Sequence, residues 1–300
     1  MDMDSLMFTG LFVDAFIFTP YVEQTKSEMV WNIANGAGAN ASPNILSELT
    51  FKNVKSLGYG LKIAHLNALS ENIAFYVEAE YADSSVKSGT VQDSDYLGDN
   101  RTGEFSRSIA DVNDDSLNSW GLAAGIKTRW FGARGHYLTF LIGHERQAVD
   151  YTMTDGVQII PEAYSGQSLT GFNSTYNSEF ESWYIKIGTE HVFKWGTIGL
   201  SYEHHDLDFY SEADWNLRAD FAHPKSFTHE GEGSGKGITI AYTYPLNLQW
   251  DVFLTYTKRK NIINDGYDQV FFSDGFSVIN SLNTVEYTEE QFQFGFRYIF

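Results

Sequence analysis

The last ten residues of the chain alternate between two kinds of side chain. Every second residue from Phe292 to Phe300 is aromatic, whereas the positions between them hold mostly polar or small side chains such as Gln293. Successive side chains of a β-strand point to opposite faces, so the segment predicts a strand with one aromatic and one polar face. For this segment taken by itself, a strand of a soluble sandwich with its aromatic face packed inward is the alternative.

The same alternation recurs in segments that begin at Ile73, Trp120, Trp183 and Trp250, while helical periodicity is nearly absent. The polar positions of these segments hold glycines and charges of both signs, which is typical of a crowded barrel lumen. Charges buried in a lumen must be paired. We therefore predict pairing of the lumen cations with the lumen carboxylates, namely of Lys127, Arg129, Lys186 and Arg297 with Glu78, Glu80, Glu190 and Asp251.

Short and long polar segments alternate strictly between these strands. The short ones are residues 67–72, 132–136, 194–197 and 244–247, and the long ones are residues 34–44, 88–118, 155–177, 211–235 and 264–286. Short periplasmic turns and long extracellular loops are typical of outer-membrane barrels. We predict an all-β fold, a single antiparallel transmembrane β-barrel over residues 1–300 with ten strands and both termini periplasmic. Twelve strands are the alternative, if one long loop contains a further hairpin.

The charge and cysteine content limit the partners. The net charge of −19 argues against nucleic-acid binding and favours basic ligands. The absence of cysteine excludes disulfides and thiolate metal sites. Because ten strands enclose a narrow lumen, a wide pore is disfavoured and function is expected in the loops. We predict no cofactor and no bound metal.

Two segments contain candidate site residues. Residues 88–118 hold seven carboxylates, among them the pair Asp93 and Asp95, whose i, i+2 spacing places both on one face of an extended chain. Two close carboxylates raise a pKa and can orient a water as a general base, whereas a solvated acidic loop is the simpler interpretation. Asp214 and Asn216 repeat the spacing in residues 211–235. By alternation, nearby His205 faces the lumen as a hydrogen-bonding residue.

Three short motifs resemble the omptins, a family of outer-membrane surface proteases. Residues 24–30 (QTKSEMV) are similar to the family's Lys-Thr-Lys-Glu-Arg-Val, and residues 49–52 (LTFK) to its Leu-Asp-Trp-Lys. Residues 91–96 (VQDSDY) are similar to its Val-Asp-Gln-Asp-Trp, which carries the catalytic aspartate pair. The resemblance is diffuse but extends over most of the chain, and it implies a ten-stranded barrel.

The resemblance also implies a set of catalytic residues. Omptins oppose the aspartate pair with an Asp-x-His pair, so the implied residues are Asp93, Asp95 and Asp214, and lipopolysaccharide is implied as a requirement for activity. The histidine position holds Asn216, which cannot take up a proton near neutral pH. His223 or His205 is the alternative source of an imidazole.

Three functional hypotheses follow, and the sequence leaves open whether the chain is an enzyme. The first is a non-peptidase binding or adhesion barrel in the outer membrane, whose acidic extracellular loops capture basic peptides or host-surface ligands. The second is an active omptin-like endopeptidase that cleaves basic peptides, and the third is a narrow selective channel. In each case the expected surroundings are outer-membrane lipid and lipopolysaccharide.

Overall fold

The computed structural model describes residues 14–38, 41–113, 115–130 and 135–300, which form a barrel of β-strands. The strands are β1 (Ala15–Ile33), β2 (Ser47–Ser70), β3 (Ile73–Gly98), β4 (Thr102–Val112), β5 (Ser116–Arg129), β6 (His136–Ile160), β7 (Asn173–Phe193), β8 (Gly196–Asp214), β9 (Phe227–Pro245), β10 (Trp250–Phe271) and β11 (Ser277–Ile299). One turn of 3₁₀-helix, Glu162–Tyr164, lies between β6 and β7. None of the helical segments in the described ranges is long and apolar enough to span a bilayer.

The strands close into a ring in which every neighbouring pair is antiparallel. Strand β1 pairs with both β2 and β11, which closes the barrel. Strands β4 and β5 share one place in the ring, because each lies between β3 and β6, β4 toward one end and β5 toward the other. The ring therefore has ten strands at any level, which confirms the predicted fold. Strand β4 forms an extra hairpin with β3 without adding an eleventh place.

Four of the five predicted long loops are shorter than expected, whereas the predicted loop at 34–44 agrees with a connection of residues 34–46. Strand β3 continues to Gly98 and β4 begins at Thr102, so residues 88–118 form mainly a hairpin, and the loop prediction for them was wrong. The strands on either side of residues 161–172, 215–226 and 272–276 also extend into the polar segments. A β-ladder satisfies backbone N–H and C=O groups whatever the side chains are, so polar sequence does not end a strand. The predicted turn at 132–136 lies almost wholly outside the described residues.

The two ends of the barrel differ. We call the end with the connections 34–46, 99–101, 161–172, 215–226 and 272–276 the long-connection end. The opposite end, which carries the beginning of β1 and the end of β11, is the terminal end.

The outer surface carries a belt of apolar and aromatic side chains near the terminal end. In β11, 51% of Phe292, 48% of Phe294 and 45% of Phe296 are exposed, so the aromatic face points outward. The soluble-sandwich alternative for this strand was therefore wrong. Ile73, Trp120 and other outward residues of the remaining strands continue the belt around the barrel. An outward apolar surface of this kind faces lipid.

Inside the belt, the lumen is occupied by paired charges. Lys127 Nζ lies 2.7 Å from Glu190, and Arg297 lies 2.5 Å from Asp251, as predicted. Lys186 Nζ lies 2.9 Å from Glu203, a partner that the sequence did not indicate. Further contacts between Lys or Arg and carboxylates in this layer include Lys62 with Glu80, Lys186 with Glu78, and Arg259 with both Glu145 and Glu203. His205 is fully buried here beside Ser182, which confirms its predicted lumen position.

Above the paired charges, toward the long-connection end, the interior becomes apolar. We call this layer the interior hydrophobic cluster; its largest fully buried members are Met29, Leu49, Phe51, Tyr151, Met153, Tyr176, Ile263, Leu282 and Tyr287. Trp31 stacks on Tyr176 at a centroid distance of 5.8 Å. The cluster separates the charged lumen from a cavity at the long-connection end.

Candidate functional site

A cavity of about 620 Å³ opens at the long-connection end, and we call it the mouth cavity. Its floor includes Trp31, Leu49 and Met153 of the interior hydrophobic cluster. Its walls come from strands on all sides of the barrel and from the connections after β6 and β8. Concave sites with apolar walls and a few convergent polar groups are typical of ligand pockets.

Asp93 and Asp95 both line the mouth cavity from β3. They lie opposite Leu49 and Ser47 of β2 in the antiparallel register. The structure thus brings together the pair predicted from the i, i+2 spacing, although on a strand and not in a loop.

Both carboxyl groups have raised pKa values. Burial, followed by the charge of Asp95, raises the pKa of Asp93 from 3.8 to about 8. Burial also raises the pKa of Asp95, with the Ser47 hydroxyl and the Arg218 charge opposing the shift. One carboxyl oxygen of Asp93, Oδ1, is buried and has no hydrogen-bond partner among the described residues. Asp93 is therefore a carboxyl group poised for a partner that supplies positive charge.

Arg218 and Trp215, from the connection after β8, complete this side of the cavity. The Arg218 guanidinium donates two hydrogen bonds to Asp220, at 3.0 and 2.9 Å. Its charge also opposes the rise in the pKa of both Asp93 and Asp95, so Arg218 is shared between Asp220 and the aspartate pair. The sequence analysis had not singled out either residue, and nothing in their spacing distinguishes them from other loop residues.

Asp268 of β10 lines the cavity on the far side of the ring from β3. Its Oδ2 accepts a hydrogen bond from Asn280 at 2.8 Å, and its Oδ1 lies 3.3 Å from His229 Nε2. His229 is fully buried, and its Nδ1 lies 3.0 Å from the Tyr176 hydroxyl. This buried Asp and His pair was also missed by the sequence analysis.

Asp214, the third predicted catalytic residue, contacts a histidine of the connection after β8. It ends β8 and accepts a hydrogen bond from His223 Nδ1 at 2.6 Å. Neither Asp214 nor His223 contributes to the described lining of the mouth cavity. The alternative imidazole is therefore bonded to the expected aspartate, and both lie outside the described lining of the cavity that holds Asp93 and Asp95.

The Asn216 side chain makes hydrogen bonds that connect two segments of the chain. Its side-chain oxygen accepts hydrogen bonds from Asn173 N at 3.0 Å and from Ser174 Oγ at 3.1 Å. Its amide nitrogen donates to the Gly171 carbonyl oxygen at 2.7 Å. The side chain thus joins the connection after β8 to the start of β7.

No group of three or more His, Asp or Glu side chains in the described ranges is arranged to hold a metal ion. The expectation that no cofactor is bound, and the possible need for lipopolysaccharide, stay predictions.

A closed ten-stranded barrel with a lipid-facing belt and a charged, filled lumen defines the class, an integral β-barrel protein of an outer membrane. Residues 25–296 match the model of the Protochlamydia outer membrane protein family (Pom), and the chain belongs to that family. No curated protein sequence matches the chain.

Solved structures give a similarity of fold. The outer membrane protease OmpT from Escherichia coli has a TM-score of 0.74 at 13% identity, with 100% of both chains covered, which confirms the omptin-like barrel. The translocator domain of the autotransporter NalP from Neisseria meningitidis has a TM-score of 0.42 at 11% identity, covering 98% of this chain and 91% of that one. A Pseudomonas aeruginosa FadL homologue has a TM-score of 0.34 at 10% identity, covering 96% and 91%.

Proposed function

We propose that this outer-membrane barrel captures basic ligands at the cell surface, in the mouth cavity, and does not cut them. The observation that carries the proposal is the side-by-side placement of Asp93 and Asp95 in that cavity. The proposal takes the long-connection end as extracellular and the terminal end as periplasmic, as in outer-membrane barrels generally.

The electrostatics of the pair support a cationic ligand. Burying two adjacent carboxylates is unfavourable, and a cation placed between them removes both the repulsion and part of the desolvation cost. The excess of 39 acidic over 20 basic residues adds a long-range attraction for basic molecules. Exposed parts of this attraction are screened over about 10 Å at 0.1 M salt.

The absence of cutting is supported by the surroundings of the pair. The described lining of the cavity contains no histidine, and the Asn216 amide is engaged in hydrogen bonds to β7 and the connection before it. A general base with a pKa near the working pH is needed to activate water. Asp93 could take that role, but no described imidazole opposes it across the cavity.

The omptin-like endopeptidase is the second candidate, and one contact favours it. The 2.6 Å hydrogen bond between His223 and Asp214 supplies an imidazole held by a carboxylate. The connection 215–226 that carries His223 also supplies Trp215 and Arg218 to the lining beside Asp93. The narrow channel has less support, since the paired charges and the interior hydrophobic cluster occupy the barrel interior; a steady current in planar bilayers, after verified insertion, would favour it.

Binding and cleavage can be measured together on refolded protein supplied with lipopolysaccharide. We expect a fluorescent dibasic peptide to bind, to bind less tightly as salt is raised, and to stay intact by mass spectrometry. The Asp93→Asn, Asp95→Asn double variant should lose roughly tenfold or more in affinity, because hydrogen bonds to charged groups contribute about 1.5–3 kcal/mol. Glu162→Gln, which removes one charge on the 3₁₀ turn outside the cavity lining, is the control.

Two outcomes would contradict the proposal. One is cleavage of the peptide that is abolished by Asp95→Ala and by His223→Ala, which would establish the peptidase. The other is equal affinity of the wild type and the double aspartate variant.

A further inference from the structure

Three polar atoms on the lining of the mouth cavity are buried without a hydrogen-bond partner among the described residues, and one of them, Asp268 Oδ1, lies 3.3 Å from His229 Nε2. The other two are Asp93 Oδ1 and Trp31 Nε1, an indole N–H that can only donate. Buried polar groups are nearly always paired in proteins, because leaving them unpaired costs free energy. An acceptor on one wall and a donor on the next therefore indicate a ligand with complementary groups.

Trp31 and Asp93 belong to one row of residues across neighbouring strands of the barrel. Trp31 of β1 lies opposite Leu49 of β2, and Leu49 lies opposite Asp93 of β3. With neighbouring strands about 4.8 Å apart, the backbones of Trp31 and Asp93 are roughly 10 Å from each other. A single small molecule can therefore reach both side chains.

Trp31 is held in place by other rings. Its indole stacks on Tyr176 and meets Phe227 and His229 edge to face, with centroid distances of 5.8, 5.8 and 4.7 Å. A fixed ring presents its N–H in a fixed direction, which favours recognition of one acceptor on a ligand.

Most residues that line the mouth cavity have aromatic rings or aliphatic side chains. The aromatic members of the lining other than Trp31 are Phe105, Phe172, Trp215, Phe221, Phe227 and Phe272. Aromatic rings pack edge to face or offset-stacked on one another, and they attract cations over their faces. A planar apolar body with a positively charged nitrogen suits such a wall.

The other charged groups of the lining have partners of their own, although Asp268 Oδ1 faces His229 Nε2 without a hydrogen bond. Arg218 donates two hydrogen bonds to Asp220, and Asp268 accepts one from Asn280 and lies against His229. Asp93 and its neighbour Asp95 are therefore the carboxyl groups of the described lining that are best placed to take a cation.

We propose that the ligand group recognised in the mouth cavity is an arylalkylamine, an aromatic ring with an ammonium on an alkyl chain, that also carries a hydroxyl or carbonyl oxygen. Its ammonium lies between Asp93 and Asp95, its ring lies against the aromatic wall, and its oxygen accepts a hydrogen bond from Trp31 Nε1. The inference rests on the proposed function and narrows it from basic ligands in general to one chemical class.

Isothermal titration calorimetry with three matched probes tests the inference on the refolded full chain. Tyramine carries all three features, 2-(4-hydroxyphenyl)ethanol replaces its ammonium by a hydroxyl, and phenethylamine lacks its ring hydroxyl. We expect tyramine to bind at least about tenfold more tightly than the alcohol, because its nitrogen makes charge-assisted hydrogen bonds. Tyramine should also bind severalfold more tightly than phenethylamine.

Two variants assign these preferences to named atoms. Asp93→Asn should remove most of the preference for tyramine over the alcohol, whereas Glu162→Gln should retain it. Trp31→Phe, which keeps a ring but removes the N–H, should remove the preference for tyramine over phenethylamine and keep the preference over the alcohol. Each readout is a ratio within one variant, so a general loss of stability would not reproduce it.

The inference would be overturned if tyramine and the alcohol bind equally, or if Trp31→Phe leaves all ratios unchanged. Its failure is distinguishable from that of the proposed function. If the dibasic peptide binds through Asp93 and Asp95 while tyramine neither binds nor competes, only the inference of an arylalkylamine ligand fails. If neither the peptide nor tyramine binds, both fail.

Discussion

The charged lumen and the mouth cavity are two acidic regions of one barrel, and they differ in whether their carboxyl groups are paired with cations. In the lumen, the carboxylates of Glu190, Glu203 and Asp251 each lie within 3 Å of a Lys or Arg nitrogen. In the mouth cavity, Asp93 and Asp95 stand next to each other and Asp93 Oδ1 has no partner among the described residues. A lumen pair that loses one partner leaves a buried charge uncompensated, whereas the aspartate pair in the cavity is already uncompensated and is available to a ligand.

The largest effect is expected where a lumen pair is broken. Lys186→Met removes the cation that lies 2.9 Å from Glu203 and 3.9 Å from Glu78. Removing one partner of a buried ion pair typically costs about 3–5 kcal/mol of stability. Urea unfolding in detergent micelles measures this loss. Lys260→Met breaks an exposed pair with Glu286, 2.7 Å long, and should cost less than ~1 kcal/mol. Equal losses for the two variants would remove the distinction between structural and surface pairs.

A smaller effect of opposite sign is expected in the mouth cavity. Because the pKa of Asp93 is raised from 3.8 to about 8, the folded protein holds a proton between pH 4 and 8 that the unfolded chain has released. Stability therefore falls as the pH rises through this window. Asp93→Asn removes this dependence and should stabilise the ligand-free protein by about 1–3 kcal/mol at pH 8, with little effect at pH 4.

The measurement is a series of urea unfolding curves in micelles from pH 4 to 8, with Glu162→Gln as the charge-matched control. Parallel pH profiles for the wild type and Asp93→Asn would mean that Asp93 ionises normally, and the contrast between the two regions would be lost.

The smallest effect is expected at the predicted histidine position. Asn216→Ala removes the hydrogen bonds to Asn173, Ser174 and Gly171, so we expect a loss of about 1 kcal/mol of stability from this partly exposed side chain. Affinity for the dibasic peptide should change less than about twofold, because Asn216 does not line the cavity. A large loss of affinity without a loss of stability would mean that Asn216 takes part in binding the peptide.

The predictability of the fold differs between the same two regions. Within the lipid belt, one face of each strand meets lipid and the other meets the lumen, so alternation gave the strands, their faces and several ion pairs such as Lys127 with Glu190. Beyond the belt, the outward face meets water and the inward face packs in the interior hydrophobic cluster. The pattern of apolar residues outward and polar residues inward therefore ends there, while the β-ladder continues. That is why residues 88–118 were predicted as a loop.

The site was predictable only in part, because bulges change which face points inward. In β3 the buried positions are even-numbered up to Val86 and then include odd-numbered Val91, and the pairing with β2 shifts register in between. Asp93 was found from its spacing to Asp95, which does not depend on that parity. Asp268 follows a similar register shift between Asn264 and Tyr267, and no local spacing marks it. His223 reaches Asp214 through the path of a connection, which the sequence does not specify.

The most direct test of the central claim is the titration of the Asp93 carboxyl carbon by NMR, with protein labelled at aspartate and refolded in micelles. The account predicts a pKa near 8 in the free protein, and a fall toward the ordinary aspartate value when the dibasic peptide binds, because a bound cation favours the ionised form. Asp93→Asn assigns the resonance. A pKa near 4 both with and without the peptide would contradict the claim that Asp93 is a carboxyl group without a cationic partner until a ligand binds.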